Sequence, residues 1–75
     1  MQRLPAISGR EVVSAFQLAG WQVARQSGSH IILTKTGTAI ALSVPNHRAI
    51  ARGTLRSLIR KAGLTVDDFR ALLER

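Results

Sequence analysis

The stretch Trp21-Gln22-Val23-Ala24-Arg25-Gln26-Ser27-Gly28-Ser29-His30-Ile31-Ile32-Leu33-Thr34-Lys35-Thr36 decides the fold. Its first six residues alternate apolar and polar, which predicts a strand with one wet face. Ser27-Gly28-Ser29 is turn chemistry, since glycine and serine accommodate a tight reversal. His30–Thr36 is rich in β-branched and apolar residues, so a second strand follows at once. Lys35-Thr36-Gly37-Thr38 then reads as another tight turn, and Ala39–Val44 as a third strand. Pro45, which has no N–H for a ladder, closes that strand. Three strands joined by such short connections can pair only as an antiparallel meander.

On the N-terminal side, Ile7-Ser8-Gly9-Arg10-Glu11-Val12 carries the signals of a helix start. Ser8 is placed to cap free backbone N–H groups, Glu11 completes a capping box, and Ile7 with Val12 forms a hydrophobic staple. Val12, Val13, Phe16 and Ala19 recur at helical spacing, and Gly20 ends the helix, giving a span of about 9–19. On the C-terminal side, Asn46–Gly53 reads as a polar, basic loop. Leu55, Leu58, Ile59 and Ala62 follow the template of an amphipathic helix that stops at Gly63. Leu64-Thr65-Val66-Asp67-Asp68-Phe69 repeats the entry logic of residues 7–12 and opens a short last helix with Phe69, Leu72 and Leu73. The order is α-β-β-β-α(-α), an α+β fold. A three-stranded sheet must cover one face, so the expected architecture is a two-layer sandwich with helices on that face.

The chain has 75 residues, 45% of them hydrophobic and 4% aromatic, which is one domain over residues 1–75 with a small aliphatic core. There is no cysteine, hence no disulfide staple and no thiolate metal site. No segment resembles a signal peptide and no apolar run reaches the length of a membrane span, so a soluble cytoplasmic protein without membrane partners is expected.

The charge of +7 is unevenly placed. Residues 12–66 hold Arg25, Lys35, Arg48, Arg52, Arg56, Arg60 and Lys61 and no carboxylate. Arg3, Arg10, Arg70 and Arg75 balance Glu11, Asp67, Asp68 and Glu74 outside that window. Arginine outnumbers lysine nine to two, and its planar fork suits phosphate. Arg48, Arg52, Arg56 and Arg60 recur every four residues without the interleaved glutamates of an ordinary solvated face. Such a field points to an anionic partner.

Two histidines lie within it. His30 follows a Gly-Ser pair at the start of a strand, where a surrounding positive field favours the neutral, base-competent imidazole. Periodicity leaves its sheet face open, because Ile31, Ile32 and Leu33 are all apolar. His47, in Val44-Pro45-Asn46-His47-Arg48, is either a turn-fixing residue or a substrate contact. A metal site is not expected: the histidines are far apart and the four acids cluster near the termini. Nor is a hydrolase triad, for want of a cysteine or of an acid near His30. Trp21 and Phe16 read as core, and three aromatics are too few for a base-stacking sheet.

Gly28-Ser29-His30, Val44-Pro45-Asn46-His47 and Gly53-Thr54-Leu55-Arg56-Ser57-Leu58-Ile59-Arg60-Lys61-Ala62-Gly63-Leu64-Thr65 together resemble the HicA toxins (the HicA/YcfA-like family). Leu4-Pro5-Ala6-Ile7-Ser8-Gly9 and Ala19-Gly20-Trp21 fit as well, so the likeness runs over nearly the whole chain. It implies a fold like the double-stranded-RNA-binding domain and the activity of an endoribonuclease, an mRNA interferase of a type II toxin–antitoxin pair that needs no cofactor. His30 of the Gly-Ser-His motif would be the catalytic residue, with Gly28 and Ser29 beside it in the substrate site. Arg25, Lys35, His47 and Arg48 are the candidates for holding RNA or stabilising charge at its phosphate. The implied partners are mRNA and a HicB-like antitoxin that covers His30, with a higher-order toxin–antitoxin complex as a further expectation. Residues 36–39 form a shorter second turn than relatives often have. The alternative is a non-catalytic RNA-binding module on the same scaffold, and a third reading is a basic subunit that docks an acidic protein.

Overall fold

A computed structural model describes residues 6–75; Leu4 and Pro5 of the opening motif and Arg3 lie outside the described residues. The elements are α1 (Gly9–Leu18), β1 (Gln22–Ser27), β2 (His30–Thr34), β3 (Leu42–Pro45), α2 (Arg52–Lys61) and α3 (Val66–Leu73). The strands form one antiparallel sheet in the order β1-β2-β3. This is the α-β-β-β-α-α order of an α+β fold, consistent with a domain of double-stranded-RNA-binding type.

The local signals at both capped helices act as read. Ser8 Oγ accepts from the Glu11 N–H at 3.2 Å, while the Ser8 N–H donates to Glu11 Oε1 at 3.0 Å. Thr65 and Asp68 repeat the pair at α3, with both bonds at 3.0 Å. Gly20 and Gly63 take positive φ directly after α1 and α2, where a side chain would be strained. By contrast α2 has no side-chain cap, its N-cap being Ala51. It begins at Arg52 and takes in Gly53, which the sequence assigns to a loop. The third strand also starts later than expected, at Leu42 rather than Ala39, and retains Pro45 as its last paired residue.

Phe16, Val12, Leu33, Leu42, Val44, Leu55 and Phe69 are fully buried between sheet and helices. Trp21 joins them at 3% exposure, so it and Phe16 are core residues. Helices α1 and α2 both rest on β3. Helix α3 packs along α1 instead, with the Phe16 and Phe69 rings 5.3 Å apart and tilted by 51°. Helix α1 touches β1 as well as β3, yet β1 has no buried residue at all, against the expectation of one dry face.

Candidate active site

Residues 27–30 form a two-residue hairpin loop, with Ser27 paired to His30 across it. Gly28 has φ +59° and Ser29 does not have positive φ, which matches a turn that places glycine at its first central position. The turn delivers His30 as the first residue of β2, exposed to solvent. On its other side His30 faces Pro45 of β3. One residue further, the Asn46 N–H donates to the Ser29 carbonyl at 2.7 Å, so the Gly-Ser-His turn is tied to the Pro-Asn-His segment. These two motifs, separated in sequence, are adjacent in space.

The sheet face of His30 follows from its neighbours. Leu33 is fully buried and Ile31 packs against the core, so by strand alternation His30, Ile32 and Thr34 point to the face without helices. Paired residues share a face, which places Ser27, Arg25 and Ser43 there too.

Arg25 reaches this face through an irregularity. Strict alternation would set Trp21, Val23 and Arg25 on one side, toward the helices. The register shifts between Val23 and Arg25: Val23 pairs with buried Leu33, but Arg25 pairs with Ile32. Ala24 is the extra residue of a β-bulge, a device that re-aims side chains. Arg25 is thus a diagonal neighbour of His30, roughly 7–8 Å away between backbone positions. An arginine side chain covers that distance.

The loop after β3 is fixed at its backbone. The His47 carbonyl accepts from the Gly9 N–H at 2.9 Å, and the Ile50 N–H donates to the Ile7 carbonyl at 2.8 Å. Ile50 is buried at 5% exposure and anchors a segment that otherwise reads as polar. His47 and Arg48 are exposed, two and three residues beyond the proline that faces His30. Gly9 makes the arrangement possible, because a Cβ there would run into the Pro45 carbonyl oxygen.

Lys35 does not join this group. It lies five residues along from His30, roughly 16 Å at the rise of a strand. Its Nζ sits over the Trp21 ring, 5.8 Å from the centroid. The structure therefore gathers Gly28, Ser29, His30, Arg25, His47 and Arg48 at one end of the sheet and leaves Lys35 at the other. Ser43 and Asn46 belong to the same end and were not singled out as candidates; their closeness depends on strand register, which no local signal carries.

Among the described residues no three of His, Cys, Asp and Glu converge on a point that could hold a metal. No helix among them is long and apolar enough to cross a membrane. Chemically, the site offers the solvent-facing imidazole of His30, a guanidinium on its diagonal, and a second imidazole and guanidinium, His47 and Arg48, on the adjoining loop.

No curated protein matches the chain at a significant level. A family model does: that of the HicA toxin of bacterial toxin–antitoxin systems, over residues 9–64. The match runs from the first residue of α1 to the residue before the α3 cap and takes in both histidine segments. Covering well over half of the 75 residues, it makes the chain a member of the HicA toxin family of toxin–antitoxin systems.

Proposed function

We propose that this toxin is an endoribonuclease that cleaves mRNA without a metal ion, with His30 as general base. The observation that carries the reading is the bulge that turns Arg25 onto the open face beside His30. RNA brings its own nucleophile, the 2′-hydroxyl. Neutral His30 takes that proton, the 2′-oxygen attacks the adjacent phosphorus, and the bond to the 5′-oxygen breaks. The leaving oxygen takes up a proton, giving a 2′,3′-cyclic phosphate and a 5′-hydroxyl. A positioned base contributes about 10²–10⁴-fold. Arg25 stabilises the charge gathering on the phosphoryl oxygens, and such stabilisation is often the largest single contribution. Arg48 and His47 hold the strand on the loop side, and the backbone of Gly28 and Ser29 shapes the turn against which it rests.

The partner that neutralises the toxin is, in this reading, a HicB-like antitoxin that covers His30. The cell compartment where both meet mRNA is the cytoplasm.

The test is cleavage of RNA by purified protein. His30→Ala is expected to abolish cleavage with little change in melting temperature, since His30 is exposed. An all-deoxy strand is expected to resist. If RNA stays intact with the unaltered protein yet binds it, the non-catalytic binding module is the right description; a deoxy strand cut at the normal rate removes the 2′-hydroxyl route.

A further inference from the structure

The proposed cleavage moves two protons: one leaves the 2′-hydroxyl, and one must reach the departing 5′-oxygen. An alkoxide leaves slowly unless a positioned donor meets it as the bond breaks. Few side chains of this protein can give a proton near neutral pH. There is no cysteine, no tyrosine and only two histidines. Arginine does not give up its proton. Lys35 lies at the far end of the sheet over Trp21, and Lys61 is the last residue of α2. Of the four carboxylates, Glu11 and Asp68 are held ionised by the bonds from Ser8 and Thr65. Asp67 and Glu74 lie at the two ends of α3, which packs on α1 and α2. His47 remains.

The fold brings it close to His30. Pro45 pairs with His30 across the β2–β3 ladder, and His47 follows two residues on. Antiparallel partners stand about 5 Å apart and two further residues add at most about 7 Å, so the two backbones lie within roughly 13 Å. Two imidazoles spanning such a gap leave room for a phosphodiester between them. The segment is held by its main chain: the Asn46 N–H donates to the Ser29 carbonyl at 2.7 Å, and the His47 carbonyl accepts from the Gly9 N–H at 2.9 Å. The turn therefore needs nothing from the His47 ring. Both imidazoles are exposed, and neither has a hydrogen-bond or ion-pair partner among the described residues.

We infer that His47 is the general acid of the cleavage and gives the proton of its imidazolium to the departing 5′-oxygen. The inference rests on the ribonuclease reading above and adds a second catalytic residue to it. Seating a phosphate anion beside a histidine favours the imidazolium, the form that can donate. His30 takes the 2′-hydroxyl proton as the bond from the 2′-oxygen to phosphorus forms. The bond from phosphorus to the 5′-oxygen breaks as the His47 proton arrives there. The step ends with His30 protonated and His47 neutral. Because both rings are exposed, exchange with solvent restores their starting forms.

An RNA strand whose 5′-bridging oxygen at the scissile bond is replaced by sulfur separates this role from strand holding, because a thiolate departs without a proton. On ordinary RNA, His47→Ala is expected to lower kcat about 10²–10⁴-fold. On the sulfur-bridged strand the same variant is expected to cleave within a few-fold of the unaltered protein, whereas His30→Ala stays slow on both. His47→Gln, which keeps a polar side chain but cannot titrate, is expected to follow His47→Ala. Melting temperature is expected to hold in both His47 variants, since the ring is exposed and the bond to Gly9 uses the backbone. If the His47 variants cut ordinary RNA at the full rate, or are slowed equally on both strands, His47 is not the acid while the ribonuclease reading stands. If the unaltered protein cuts neither strand, both fail.

Discussion

At the scale of the residue, two positions carry unusual weight. Arg25 reaches the face of His30 only because Ala24 is bulged out of the ladder. Its proposed role is to stabilise charge that develops during the reaction, so Arg25→Ala is expected to lower kcat by about 10²-fold, the scale of losing one transition-state donor. KM should change much less, and Arg25→Lys should recover part of the rate. Steady-state cleavage assays decide it, and an equal loss in KM with kcat intact would make Arg25 a binding residue only. Gly9 is the second position. Alanine there gains up to about 1 kcal/mol of helix propensity. Its Cβ, however, meets the Pro45 carbonyl oxygen and crowds Asn46 Cα at 3.0 Å. Overpacking of this kind costs about 1–3 kcal/mol, so the clash wins and Gly9→Ala is expected to lower the urea midpoint. A raised midpoint would show that α1 does not approach β3 so closely.

At the scale of the element, α1 and α3 begin with a capping box and α2 does not, and acid separates them. Glu11 is held below its ordinary pKa of 4.5 by the Ser8 backbone N–H and then by the Ser8 hydroxyl. Asp68 is held below 3.8 by the same pair of bonds from Thr65. Each carboxylate accepts those bonds more strongly when ionised than when protonated. A lowered folded pKa means the stabilisation is fully present above the ordinary value and is lost as pH falls through the folded one. The chain has only four acidic side chains, so two of them account for much of any acid lability. Melting temperature is expected to fall as pH drops below 4.5, and less steeply in Glu11→Gln/Asp68→Asn. Parallel profiles for the two proteins would mean that the boxes contribute nothing to the acid response. Helix α2 has no box to lose, its N-cap being Ala51, and is held by burial of Leu55, Leu58 and Ile59.

At the scale of the whole molecule, stability rests on few side chains. A domain of this size retains about 4–11 kcal/mol against unfolding. Phe69 is fully buried and packs its ring at a tilt against Phe16, joining α3 to α1. Phe69→Ala is expected to cost about 3–5 kcal/mol, a large share of that margin. Differential scanning measurements should show a greatly lowered transition, and an unchanged one would mean that α3 is an appendage. On the proposed function, RNA at 100 times its Kd returns about 2.7 kcal/mol, so a 2′-O-methyl oligoribonucleotide, which has no free 2′-hydroxyl to attack, should partly restore folding of this variant.

Much of this protein was readable from local chemistry. The boxes at Ser8 and Thr65, the glycine stops at 20 and 63, and the turn before His30 act over four residues or fewer, so neighbours in sequence suffice to specify them. The start of α2 at Arg52 escaped, though not the helix itself, because no cap announces it and Gly53 speaks against it. The face of His30, the bulge that brings Arg25 to it, the dry side that β1 lacks, and the placing of Lys35 over Trp21 were decided elsewhere. Each depends on strand register and on which helix lies over which strand, and those are settled only when distant segments compete to bury Leu33, Val44 and Phe69 in a single core.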